Sequence, residues 1–251
     1  MTISELPLGT KLNIGVNLGD NNDDILWKKV SDSNDLFAMR SVGRRSFDRR
    51  EFESPSSAKR AYGNNYFPHS NLFQWLNGGK DFTYTPMHQY DRCPDGVYDG
   101  FLTFFDDEEL AMLIDREVPI AVPPGSIKEF GRAQTVTCKV SIPSESELVD
   151  VPEVPDGEYL PALSQAIGEV PHSNIMTRTG VSDAGHILIY NFGSMTHGLC
   201  RDVFLIHPMI RIKPDAPVIE IDSGEHIWCL ETSKTHEHEG LLELFRSMIQ
   251  M

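Results

Sequence analysis

Cysteine is scarce in this sequence and never clustered. Cys93, Cys138, Cys200 and Cys229 are four in 251 residues, with no C-x-x-C pair, which excludes a zinc ribbon or a thioredoxin-type redox motif. Long apolar runs are missing too. No stretch approaches the ~20 residues of a membrane span, and Met1-Thr2-Ile3-Ser4-Glu5-Leu6-Pro7 lacks the basic start and apolar core of a secretory signal. Synthesis in the cytoplasm, free buried thiols and no membrane partner are the expectations. Positive charge is in deficit: 22 Lys and Arg face 37 Asp and Glu, for a net charge of −15. Such a surface repels phosphate backbones, so no nucleic-acid partner is expected. Also missing are a glycine loop that could cradle phosphates, a G-x-S-x-G elbow and any Ser, His and Asp spacing that suggests a triad. The reading is therefore non-enzymatic, with no catalytic residues, cofactor or metal ligands expected.

What is present describes a folded, loop-rich protein. Hydrophobic residues make up 40% and charged residues 24%, with 19 glycines and 16 prolines; the first two values are globular and the glycines and prolines imply many turns. Strand-like runs occupy 12–16, 25–30 and 36–39, and again 187–190, 203–206 and 209–213. Ser70 is a candidate N-cap for a short helix over 71–77, with Leu72, Trp75 and Leu76 on one face. Asp106 caps a second helix carrying Leu110 and Leu113, and Ser144-Glu145-Ser146-Glu147 has the spacing of a capping box. Residues 149–161, with three prolines, read as a loop. A final helix is expected over 240–249. The sum is one α+β domain over 1–220, followed by a C-terminal extension over 221–251 that ends in that helix.

Several groups invite a functional reading. The stretch 40–60 holds Arg44, Arg45, Arg49 and Arg50, which are either a patch for an acidic partner or solvated charge balancing the acidic remainder; solvated charge is the commoner case. Asp20-Asn21-Asn22-Asp23-Asp24 resembles the start of a calcium loop, but Ile25 stands where Gly is required and Ser31 where Glu is required, which favours a turn. His236-Glu237-His238-Glu239 reads as a solvated helix start, and His186, His197 and His207 come from successive strand-like segments. Arg178 and Arg211 sit in or beside apolar stretches, where a guanidinium needs carboxylate or carbonyl partners; a structural role is favoured over a grip on an acidic ligand. Tyr62, Tyr66, Trp75 and Tyr90 either rim a groove or fill the core.

These segments, in their order, carry a resemblance. Leu6-Pro7-Leu8-Gly9-Thr10 with Ile25-Leu26-Trp27, Arg45-Ser46-Phe47-Asp48, Tyr62-Gly63-Asn64-Asn65-Tyr66 through Trp75-Leu76-Asn77, Tyr84 to Asp91, Gly100-Phe101-Leu102, Val140 to Leu148, Met176-Thr177-Arg178-Thr179 and Met209 to Pro214 resemble an uncharacterised domain-of-unknown-function family of phages and prophages of Gram-positive gut bacteria. The departures are Arg49-Arg50-Glu51 where that family has Ala-Lys-Glu, and the loss of a Gly and its adjacent Pro near Arg211. The order is also similar to the C-type-lectin-like superfamily, without its oxidase cysteine pair or its Glu-Pro-Asn sugar motif. The resemblance implies a C-type-lectin-like, loop-rich fold with a twisted antiparallel sheet and a few short helices. It further implies a virion structural protein (a decoration, collar, fibre-associated or baseplate component) located in the particle. Such a protein would form homo-oligomers, contact other virion proteins and act through Arg44, Arg45, Arg49, Arg50, Tyr62, Tyr66 and Tyr90, with Trp75, Arg178 and Arg211 as structural residues. The alternative is a ligand-binding module for a host-surface glycan or a soluble phage factor.

Overall fold

Alternation in β1 (Lys11–Asn17) and apolar runs in β2 (Asp23–Lys29) and β3 (Asp35–Ala38) set up the first three strands, which pair antiparallel in sequence. The structure is a computed structural model describing residues 1–17, 23–127, 131, 133–150, 156–170, 174–181, 185–191 and 193–232. The helix expected over 240–249, the His236 to Glu239 tract and most of the 20–24 turn lie outside these residues. Trp27 is fully buried and its indole N–H donates to the Ile14 carbonyl at 2.8 Å, so its ring fills the core without an orphan donor.

The remaining described strands are β4 (Arg44–Ser46), β5 (Arg116–Ala121), β6 (Ala133–Cys138), β7 (Val140–Ser141), β8 (Ile175–Val181), β9 (His186–Asn191), β10 (Ser194–Leu199), β11 (Val203–Leu205), β12 (Met209–Arg211), β13 (Val218–Asp222) and β14 (Ile227–Leu230). They form an open seven-stranded sheet in the order β13-β14-β1-β2-β3-β12-β7, a five-stranded sheet in the order β10-β9-β8-β11-β4, and the antiparallel pair β5-β6. The fold is thus mixed and sheet-rich, with a few short helices: α1 (Ser57–Tyr62), α2 (Asn71–Leu76), α3 (Asp107–Met112), α4 (Glu145–Leu148) and α5 (Pro161–Gly168).

The boundary expected at residue 220 falls inside β13. Residues 221–230 belong to the sheet because β14 pairs parallel with β1, Leu12 opposite Trp228, and no local signal announces a pairing across more than 200 positions. The helix over 161–168 also departs from the sequence expectation. Prolines at 152, 155 and 161 suggested only loop, yet Pro161 occupies the first turn of α5, where its missing N–H costs nothing.

Burial explains why β3 reads as a continuous apolar run. Leu36 and Ala38 join the large core shared with Trp27, Phe47, Phe67 and Trp75, whereas Phe37 faces a second core with Leu148, Leu163, Ile167 and Met209 from α4, α5 and β12. A strand covered on both faces has no polar side to show. The N-terminal signals of three helices take the geometry their sequences suggest: Ser70 accepts from Phe73 N, and Asp106 and Ser144 each form complete capping boxes with Glu109 and Glu147.

The connection from Phe47 to Phe105 carries α1, α2 and long turns, and it lies over both sheets. Gly100 holds its end in place. Leu102 N donates to Gly78 O at 3.1 Å and Gly100 N to Gly79 O at 2.9 Å, so the two backbones touch, and a Cβ at Gly100 would fall inside the Gly78 peptide. Gly100→Ala should lower unfolding stability by about 2 kcal/mol, read from the urea midpoint, with the strand content seen by circular dichroism retained.

Candidate functional site

After the edge strand β4 the chain turns inward, and Phe47, Asp48 and Glu51 are all fully buried. Asp48 is held by backbone: its own N–H donates to Cys200 O at 3.0 Å, while its carboxylate accepts from Asn64 N at 2.9 Å and Asn71 N at 3.0 Å. One side chain thereby fixes the Gly63-Asn64 turn and the start of α2. Asp91, on the long turn 84–99, approaches the same point; its Oδ2 accepts from Met87 N at 2.9 Å. The acidic ligand atoms of Asp48, Glu51 and Asp91 lie within 4.8 Å of one another, all three residues buried.

His88 borders this group. Its Nδ1 accepts from Tyr90 N at 3.2 Å, which puts the ring proton on Nε2, and Nε2 lies 3.1 Å from Glu51 Oε1. The hydrogen bond to Glu51 raises the His88 pKa even though burial opposes it. Burial pushes the Asp48 carboxyl well above the usual range and raises that of Asp91, and neighbouring carboxylates add to both shifts. His69, behind His88, is depressed to about 4 by burial. A cavity of about 530 Å³ opens beside the cluster, lined by Ser54, Ser56, Lys59, His88, Gln89 and Tyr90. Another, of about 580 Å³, lies against β1; there Asp106 and Glu109 are taken up by the capping box and by Gly15 N.

The residues singled out from sequence separate into surface and core. Arg44, Arg45, Arg49 and Arg50 are exposed. Arg44 and Arg45 lie on β4, the outer strand of the five-stranded sheet, where charge blocks edge-to-edge pairing. Arg45 also lies over the Trp75 ring at 3.9 Å, and Trp75 packs against Phe101 and Phe104. Tyr66 corrects an expectation. It is 1% exposed and its hydroxyl donates to Gln134, so it fills the core and offers nothing to a partner. Tyr62 packs at a tilt against His186 and beneath Arg201. Of the four aromatics weighed for a groove, Tyr90 alone lines the cavity.

Arg178 donates to Ile142 O, Asp156 O and Glu147 Oε2, each at 2.6 Å. Arg211 grips Asp35 through two bonds at 2.9 and 3.0 Å across the β3-β12 pair. His186 meets Tyr62 and His207 meets Phe37, so these two serve different packing sites. The four cysteines are free thiols.

The family model described as Domain of unknown function (DUF6273) matches residues 37–205. The chain belongs to the DUF6273 family. No curated protein and no solved structure matches it. The DUF6273 region contains Asp48, Glu51, His88 and Asp91 and all of the five-stranded sheet, while β1, β2, β13 and β14 fall outside it. Asp48 and Asp91 lie in two of the segments that carry the resemblance, Arg45 to Asp48 and Tyr84 to Asp91. Their convergence with Glu51 was not read, since it is made by tertiary contact across 43 positions; an acid directly after a core aromatic, as in Phe47-Asp48, was the available hint.

Proposed function

We propose that this DUF6273 protein is a structural component of a phage particle, built on a C-type-lectin-like scaffold, that works by protein contacts. The observation that carries this reading is the character of its loop face. Phe52 is 64% exposed, Met87 42% and Val97 63%, on the turns that flank the exposed arginines and the cavity, while buried polar contacts pin those turns from beneath. Apolar side chains held in solvent on fixed turns suit a contact surface. The phage attribution rests on the ordered resemblance of the segments named above, and the acidic surface fits a particle exterior that must stay soluble. No helix among the described residues is long and apolar enough to cross a membrane.

The expected result is stoichiometric recovery of the chain in mass spectra of washed particles from the prophage that encodes it, normalised to capsid and tail-tube peptides. Absence from particles that carry their other structural proteins overturns the reading. It would promote a soluble ligand-binding module instead, a reading favoured by the polar cavity with Tyr90 and Lys59 on its wall.

A further inference from the structure

We propose that Asp48, Glu51 and Asp91 form a binding site for one calcium ion beneath the 84–99 turn, a property independent of any place in a particle. Three carboxylates in one buried spot cannot all stay ionised side by side without a compensating charge. Among the described residues, pairing supplies it only in part, because His88 reaches one oxygen of Glu51 and no other carboxylate of the group. Glu51 is fully buried, yet its Oε2 has no hydrogen-bond partner among the described residues; Asp91 is 8% exposed, and its Oδ1 has none either. Such oxygens are costly unless something not part of the chain binds them.

The arrangement is that of an oriented ligand set. Met87 N anchors one oxygen of Asp91, and His88 Nε2 approaches one oxygen of Glu51; in each case the second oxygen is left over. Asp48 is fixed by two backbone N–H groups and keeps lone pairs available on both oxygens. His88 is then an outer partner that aims Glu51, a role common around metal carboxylates. Oxygen-only ligands select a hard cation, and size selects within that class. Ligands on opposite sides of calcium, at about 2.4 Å each, lie about 4.8 Å apart, whereas magnesium at about 2.1 Å draws them to about 4.2 Å. The three oxygens lie within 4.8 Å of one another, inside the span of one calcium shell, and the looser geometry and higher ligand number of calcium suit carboxylates carried on a turn and a loop. The cavity lined by His88 lies on the solvent side of the group, and Lys59 on its wall adds positive charge nearby.

The test uses the full chain, stripped with EDTA and exchanged into chelator-free buffer, titrated calorimetrically with calcium chloride and melted with and without it. One equivalent should bind and the melting temperature should rise. Glu51→Gln and Asp91→Asn should each weaken calcium binding by at least about tenfold and remove most of the thermal shift. Asp91 lies on a turn, so Asp91→Asn carries the test if Glu51→Gln fails to fold. Wild-type protein that gives no heat and unchanged melts overturns the proposal. Calcium binding that survives both substitutions overturns the location, and a magnesium affinity equal to or above that for calcium overturns the choice of ion.

Discussion

Glu147→Gln is expected to lower unfolding stability by about 3–5 kcal/mol, the range for removing one member of a buried ion pair. Glu147 is 3% exposed and sits between two guanidiniums, Arg178 at 2.6 Å and Arg116 at 3.2 Å. Arg116 continues to Asp35 at 3.6 Å, and Asp35 to Arg211 at 2.9 Å. The chain Arg211, Asp35, Arg116, Glu147, Arg178 joins β3 and β12 of the large sheet to β5, α4 and β8. Burial opposes ionisation of Glu147, but Arg178 and Arg116 outweigh it and hold the carboxyl below its usual range. Without the carboxylate, two buried cations lose the charge that made their burial tolerable.

The choice of Gln isolates that charge. Glu147 also closes the α4 capping box by accepting from Ser144 N at 3.0 Å, and a Gln oxygen can accept the same bond, so the cap survives. Loss of the network is then the dominant change. The comparison is Glu169→Gln. Glu169 pairs with Lys28 at 2.6 Å, but its own side chain is 45% exposed, and removal of that carboxylate should cost less than about 1 kcal/mol. Urea midpoints of both variants, at constant m-value, read the contrast. Equal costs for the two would contradict the role assigned to burial.

Local signals and long-range pairings differ sharply in how legible they are from sequence. The caps at Ser70, Asp106 and Ser144 were readable because the interaction spans three residues and the chemistry is stated by the residue types. The β1 to β3 meander is readable because its turns and its apolar or alternating runs are local. Helix α1 was hidden inside a basic run, six residues long and too short for periodicity to appear. For Arg178 and Arg211, the need for partners followed from their apolar surroundings, but Glu147 and Asp35, 31 and 176 positions away, did not. The same limit applies to the carboxylate cluster. Each acid looks solvated in sequence, and only the docking of the 84–99 turn onto the start of α1 and α2 makes them neighbours. Tyr66 shows the converse, a tyrosine whose ring burial outweighed its polar tip once Gln134 could take the hydroxyl.

His207 predicts a second large effect, in pH dependence. It is 1% exposed, stacked on Phe37 at 5.7 Å, and its Nδ1 lies 2.9 Å from Ala38 O. A carbonyl accepts, so Nδ1 carries the proton; Nε2 is buried without a hydrogen-bond partner among the described residues. The ring is therefore neutral, and burial depresses its pKa from 6.5 to about 4. Between those values the unfolded chain binds a proton that the folded chain refuses, so stability falls as pH drops from 6.5 toward 4 and levels off below. A gap of that size corresponds to roughly 3 kcal/mol across the window. Asp48 and Asp91, with raised carboxyls, push in the opposite direction because protonation favours their folded state, which would mask the histidine in a single profile. The informative quantity is the difference between wild type and His207→Asn, whose amide keeps a donor for Ala38 O. Urea unfolding from pH 4 to 7 should show the variant losing least at the acid end, the two curves converging as pH falls. Parallel curves would mean that His207 titrates alike in both states, and the neutral buried imidazole would have to be given up.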